Sequence, residues 1–172
     1  MSELDLTSPP PSDAISELIL EVFRLNGRLL EAGDALVADI GLTSARWQVM
    51  GAVALSPVPL PVAHIARNMG LSRQSVQRLA NEMEKDGLVM FAPNPHHERA
   101  KLVLLTPRGA EAYREAMDRQ APWAAGLASG LGAKDIEAAR SLLHELRMRL
   151  SQEKRPGGSK GASDERAYRT GE

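Results

Sequence analysis

Apolar residues return every three or four positions along the first part of the chain. Ile15, Leu18, Ile19, Val22, Phe23, Leu29 and Leu30 form one stripe near helical period. This predicts a helix over 13–39, capped by Ser12 or Asp13 and stopped by Gly41. The next segment, "LTSARWQVMGAVAL", predicts a second helix, with Thr43 as N-cap and Trp47, Val49, Met50, Val53 and Ala54 as its apolar face. "SPVPLP" breaks it, because proline cannot continue a helix and restricts the residue before it. "VAHIARNMG" predicts a short helix closed by Gly70. Ser72 then caps a helix that ends near Gly87 and turns Val76, Leu79, Ala80 and Met83 to one side. "LVMFAP" and "KLVLLT" have the branched, apolar character of strands, and "NPHHERA" between them reads as a turn. Thr106 and Pro107 open a helix running toward Gly130. A last helix, 133–152, is expected to bury Ile136, Leu142, Leu143, Leu146 and Leu150. The ends, 1–11 and 153–172, are polar and rich in Pro or Gly, and read as flexible tails.

A short helix, a tight turn, a second helix and a two-stranded ribbon make a helix-turn-helix with a wing. The second helix has the dimensions that fit a major groove. Its outer face carries Arg73, Gln74, Gln77, Arg78 and Asn81, where a merely solvated helix would more often carry Glu and Lys. Arginine bonds bidentately to guanine, and glutamine or asparagine to adenine, so these side chains are apt readers of base edges. Arg99 and Lys101 on the ribbon fall where phosphates or the minor groove would pass.

Charge sharpens this picture. The chain of 172 residues has a net charge of −1, which does not announce a nucleic-acid binder. The average conceals an asymmetry. From Arg67 to Arg108 there are seven basic residues against four acids, whereas Asp13 to Asp39 holds six acids against Arg24 and Arg28. Cysteine is absent, which excludes disulfides and thiolate metal sites. No apolar run spans a membrane, and the acidic, proline-rich "MSELDLTSPPPSD" is unlike a signal or transit peptide, so a cytoplasmic protein is expected.

Taken together, "LTSARWQVMGAVAL", the "IARNMGLS" turn, "MEKDGLV" and the "LVLLTPRG" wing resemble the MarR family of bacterial transcription regulators. The resemblance runs over 12–152 and is most specific from Leu42 to Gly109. It implies a mainly α fold with a minor β component. A winged helix-turn-helix over 42–106 would be flanked by dimerisation helices over 13–39, 107–130 and 133–152. It further implies a homodimer on a palindromic double-stranded DNA operator, a repressor's role, and control by a small aromatic or phenolic effector. Matched onto this chain, the recognition-helix positions are Ser72, Arg73, Gln74, Ser75, Gln77 and Arg78, and the wing arginine is Arg99. The family usually places an aspartate two residues before the wing arginine; here that residue is His97. An effector cleft between the dimerisation helices and the winged unit would draw on Phe23, Arg24, Arg46, Trp47, Met50 and Tyr113, although the same residues could serve packing alone.

His96, His97 and Glu98 have metal-ligand chemistry, but adjacent side chains in a turn rarely converge on one ion, and His64 and His144 lie far off in sequence. No metal or cofactor is expected. No nucleophile triad, P-loop or dinucleotide fingerprint occurs, so an enzyme is not expected either. Two alternatives compete with a ligand-responsive regulator: a winged-helix module that binds protein, and a DNA binder that responds to no ligand.

Overall fold

The computed structural model describes residues 10–97 and 99–153, so most of both expected tails lies outside the described residues. The chain divides into two compact units, the first ending at Leu127 and the second starting at Ala128.

The first unit opens with helix α1, Pro11–Val37, followed by a single 3₁₀ turn, Ala38–Ile40. The helix starts two residues earlier than its polar caps suggest. Pro11 occupies the first helical position, where its fixed φ suits the helix and its missing N–H costs nothing. Ser12 and Asp13 therefore lie inside the first turn instead of capping it. Gly41 ends the 3₁₀ turn with φ 71°, a left-handed conformation that favours glycine. Helix α2, Ser44–Ala54, begins as expected at Thr43, whose Oγ1 accepts from the Arg46 N–H. Asp34 of α1 adds a second cap by accepting from the Ser44 N–H at 2.6 Å.

Helix α3, Val62–Met69, closes on Gly70 (φ 67°), and Ser72 starts helix α4, Arg73–Lys85, by accepting from the Ser75 N–H at 3.1 Å. Val76, Ala80 and Met83 are buried and Leu79 packs against them, so the predicted stripe of α4 faces the core. The core joins this stripe to Val37, Val49, Met50, Ile65, Val89 and Val103.

The wing differs from the expected two-stranded ribbon. Strand β1, Leu60–Pro61, lies inside the segment read as a helix breaker. It pairs antiparallel with β3, Leu102–Leu105, which pairs in turn with β2, Val89–Ala92, giving the order β1-β3-β2. Two residues cannot show an alternating pattern, and the proline is tolerated because β1 is an edge.

Helix α5, Pro107–Ala128, follows directly. The Thr106 hydroxyl donates to the Gly87 carbonyl at 2.6 Å and accepts from the Gly109 N–H at 2.9 Å, which fastens the helix start to the end of the α4–β2 turn. Further along, Arg119 donates to Asp39 at 2.8 Å and ties α5 to the 3₁₀ turn. This hydrogen bond holds the Asp39 carboxyl below its usual range and raises Arg119. An acid held low contributes stability above its unfolded pKa, and the contribution is lost as pH falls through the folded value.

The second unit contains helix α6, Ala133–Glu153. The expected burial of its apolar residues is not found. Ile136, Leu142, Leu143 and Leu150 are exposed, and Leu146 is half-buried. In α1 as well, Ile19, Leu20, Phe23, Leu25, Leu29 and Leu30 are exposed. Periodicity picks out each apolar face, and among the described residues the large apolar side chains of α1 and of α6 stand largely exposed.

Candidate nucleic-acid interface

One cleft runs between α4 and the wing. Successive turns of α4 supply it. Arg73, Gln77 and Asn81 stand at intervals of four residues, so they share one side of the helix, and Glu84 continues the row. The wing contributes Asn94, His96, His97, Arg99 and Lys101. Helix α3 contributes His64 and Arg67. Four cations, Arg67, Arg73, Arg99 and Lys101, thus face a cleft with Glu84 as its acid among the described residues. A groove of this sign and breadth suits a polyanion.

The sequence-predicted residues separate into three groups. Arg73, Gln77, Arg99 and Lys101 are brought together in the cleft. Gln74 and Arg78 lie on the exposed face of α4 outside it, with Arg78 paired to Glu82 at 3.3 Å. Ser72 and Ser75 are exposed at the start of α4, their hydroxyls 2.8 Å apart. His64 and Arg67 join the cleft without having been expected there. Their three-residue spacing on a short helix, with Ile65 and Ala66 buried between them, is the signal that would have found them.

The wing tip is built locally. The Asn94 side chain donates to the Ala100 carbonyl at 2.9 Å and accepts from the His96 N–H at 3.0 Å. The Ala100 N–H closes the same loop on the His97 carbonyl at 3.0 Å. Asn94 thus braces a turn in which His97 replaces the customary acid. Among the described residues, no three His, Asp or Glu side chains converge as a metal site would require.

The residues suggested for an effector cleft lie in two places. Met50 is fully buried, while Trp47 and Tyr113 pack half-buried against the core. Arg46, in the same region, pairs with Asp86 at 2.7 Å. Phe23 is 70% exposed on α1. It precedes Gly33, where α1 approaches Ser44 closely, by ten residues, or about 15 Å of helix. Arg24 beside it pairs with Glu21 at 3.3 Å.

A helix-turn-helix, a three-stranded wing and a basic cleft between them define a winged-helix DNA-binding protein. Comparison with known proteins narrows the class. A family model described as "MarR family" matches residues 40–100. An uncharacterized protein of Mycobacterium tuberculosis, Rv2011c, is 33% identical over 143 residues, covering 83% of this chain and 99% of that protein. The transcriptional activatory protein BadR of Rhodopseudomonas palustris is 30% identical over 100 residues, 57% of each chain. Among solved structures, CouR from Rhodococcus jostii RHA1 bound to p-coumaroyl-CoA aligns with a TM-score of 0.67 and 23% identity, over 81% of this chain and 96% of that one. The chain belongs to the MarR family: it is a winged helix-turn-helix transcription regulator that binds DNA, and the family is not enzymatic. No helix among the described residues is long and apolar enough to cross a membrane.

Proposed function

We propose that the chain acts as a homodimer on a palindromic operator, represses transcription there, and releases or loosens its grip when a small aromatic or phenolic acid binds. The observation that carries the reading is the basic cleft beside α4, set in a chain whose α1 leaves a row of large apolar residues exposed. A second copy of the chain covering that row would present two copies of α4, and two recognition helices one DNA turn apart match a palindrome. Whether binding represses or activates depends on where the operator lies relative to the promoter, and the relative BadR is named an activatory protein. A reporter driven from the bound promoter separates the two signs.

Helix and wing carry different parts of the binding. Gln77 sits mid-helix within the cleft, where a side chain reaches base edges, and Arg99 stands on the wing, where backbone passes. Gln77→Ala is expected to relax preference at one or two operator positions, at a cost of roughly 1–3 kcal/mol. Arg99→Ala should weaken binding to all sequences alike and lower the salt slope by about one. Gel shifts on one operator set at two salt concentrations measure both. The assignment fails if Arg99→Ala changes base preference while Gln77→Ala does not.

The effector reading draws support from CouR, whose solved structure holds p-coumaroyl-CoA. Trp47 supplies its own probe because it lies at the edge of the core near Met50 and Tyr113. Salicylate is expected to quench tryptophan fluorescence and weaken operator binding at millimolar concentration. Neither effect occurring would mean that the protein is not an aromatic-acid sensor.

A further inference from the structure

Two amides on α4 are joined to each other. The Gln77 Nε2 donates to the Asn81 Oδ1 at 2.9 Å. Both residues line the cleft, one turn apart, with Gln77 half-buried and Asn81 exposed. This bond changes what Gln77 can offer to a base. A glutamine amide has one acceptor oxygen and two N–H hydrogens. With one hydrogen held by Asn81, a single donor and a single acceptor remain.

Adenine and guanine ask for different sets. In the major groove adenine presents the N7 acceptor beside the N6 donor, whereas guanine presents two acceptors, N7 and O6. A Gln77 amide with one free donor and one free acceptor matches adenine at both atoms. Against guanine it can satisfy N7, but its own Oε1 then confronts O6, acceptor against acceptor. An unrestrained glutamine escapes this conflict by rotating its amide so that both hydrogens point at guanine. We infer that Asn81 is a specificity-determining positioning residue: by occupying one Gln77 hydrogen it locks the amide into the pattern of adenine and makes guanine costly at that operator position. The inference rests on α4 reading base edges and adds which purine is chosen and what enforces the choice.

The rest of the row fits this assignment. Arg73, one turn before Gln77, presents donors alone and so has the guanine pattern. The locked pair therefore supplies a preference that its neighbour does not. Asn81 makes no demand on the core, because the buried residues of α4 are Val76, Ala80 and Met83 on its other side.

The test uses the full chain and a random-sequence duplex library to obtain the preferred site. Gln77→Ala then identifies the position that Gln77 reads. At that position, binding to the adenine duplex and to the guanine duplex is compared for wild type, Asn81→Ala and Asn81→Asp. The ratio within each variant is insensitive to how much of the preparation is active. Aspartate keeps an acceptor at the same place, so it preserves the lock, although its charge near phosphates lowers affinity for both duplexes. Wild type should prefer adenine by about tenfold or more. Asn81→Ala should lose most of that ratio, chiefly by binding the guanine duplex better relative to adenine, and Asn81→Asp should retain it. An unchanged ratio in Asn81→Ala overturns the inference. So does loss of the ratio in Asn81→Asp, which would mean that Asn81 acts as donor to Gln77 instead of acceptor. A wild-type preference other than adenine at the Gln77 position also refutes it. If Gln77→Ala leaves every position unaltered while the protein still selects a site, the base-reading role of Gln77 fails as well, and that failure is seen before any Asn81 variant is compared.

Discussion

Gly109→Ala is expected to destabilise the protein by more than the roughly 1–3 kcal/mol of ordinary overpacking, a large part of the ~5–15 kcal/mol that holds a domain folded. A Cβ at this position would lie 1.9 Å from the Leu88 carbonyl oxygen and 2.9 Å from its carbon. Both are backbone atoms, so no rotamer change relieves the clash. The helix start cannot simply move away either. The Thr106 N–H donates to that same Leu88 carbonyl at 3.1 Å, and the Thr106 hydroxyl bridges Gly87 and Gly109. Shifting α5 to admit one methyl group breaks this lacing and disturbs Leu88 and Val89, which are 5% and 1% exposed. A urea titration measures the change. Thr106→Val serves as the milder comparison, because it removes the hydroxyl cap and keeps the shape, for a loss of about 1–2 kcal/mol. A Gly109→Ala protein as stable as Thr106→Val would show that the approach of α5 to β2 is looser than 1.9 Å requires.

The other large effect is expected from α1. The double variant Leu25→Glu, Leu29→Glu should turn the proposed dimer into a folded monomer and lower operator affinity by about 10²–10⁴-fold. Leu25 and Leu29 are 50% and 44% exposed within the chain and one helical turn apart. Charging them therefore costs the single chain little, whereas a partner covering them would have to bury two unpaired carboxylates. The affinity falls because the second half-site is no longer held at high effective concentration by the first. Sedimentation equilibrium reports the mass and circular dichroism the retained fold. The dimer reading through α1 is abandoned if the variant sediments as wild type does, or if wild type itself is a stable monomer at micromolar concentration.

The parts of the fold governed by neighbouring residues are legible in the sequence alone. Thr43, Ser72 and Thr106 each cap the helix that their position predicts, and Gly70 adopts the positive φ that its place after α3 demands. The stripe of α4 is equally clear, because an amphipathic period survives in any context. Features that depend on distant partners are not legible in this way. Strand β1 exists only through its register with Val103 and Leu102, far along the chain. The exposed faces of α1 and α6 are recognisable as apolar, but periodicity does not say which molecule covers a face. In the candidate site, the α4 and wing residues follow from type and spacing. His64 and Arg67 carry a signal in their spacing about buried Ile65 and Ala66, but only the approach of the wing, set by residues far along the chain, makes that face part of the cleft. The bracing role of Asn94 is a matter of loop geometry that neither composition nor period encodes.

Helix α4 divides its labour cleanly between two sides. Val76, Ala80 and Met83 hold it to the core, while Arg73 and Asn81 stand exposed along the cleft with Gln77 half-buried between them. Substitutions in the second set leave the buried set itself intact. A lineage carrying this scaffold can therefore exchange one operator for another by single steps, each leaving a folded protein for selection to act upon. Retargeting by design has the same freedom: a library varied at positions 73, 77 and 81 that omits proline and glycine, which a helix interior tolerates poorly, should stay folded, and its members should differ chiefly in the DNA they choose.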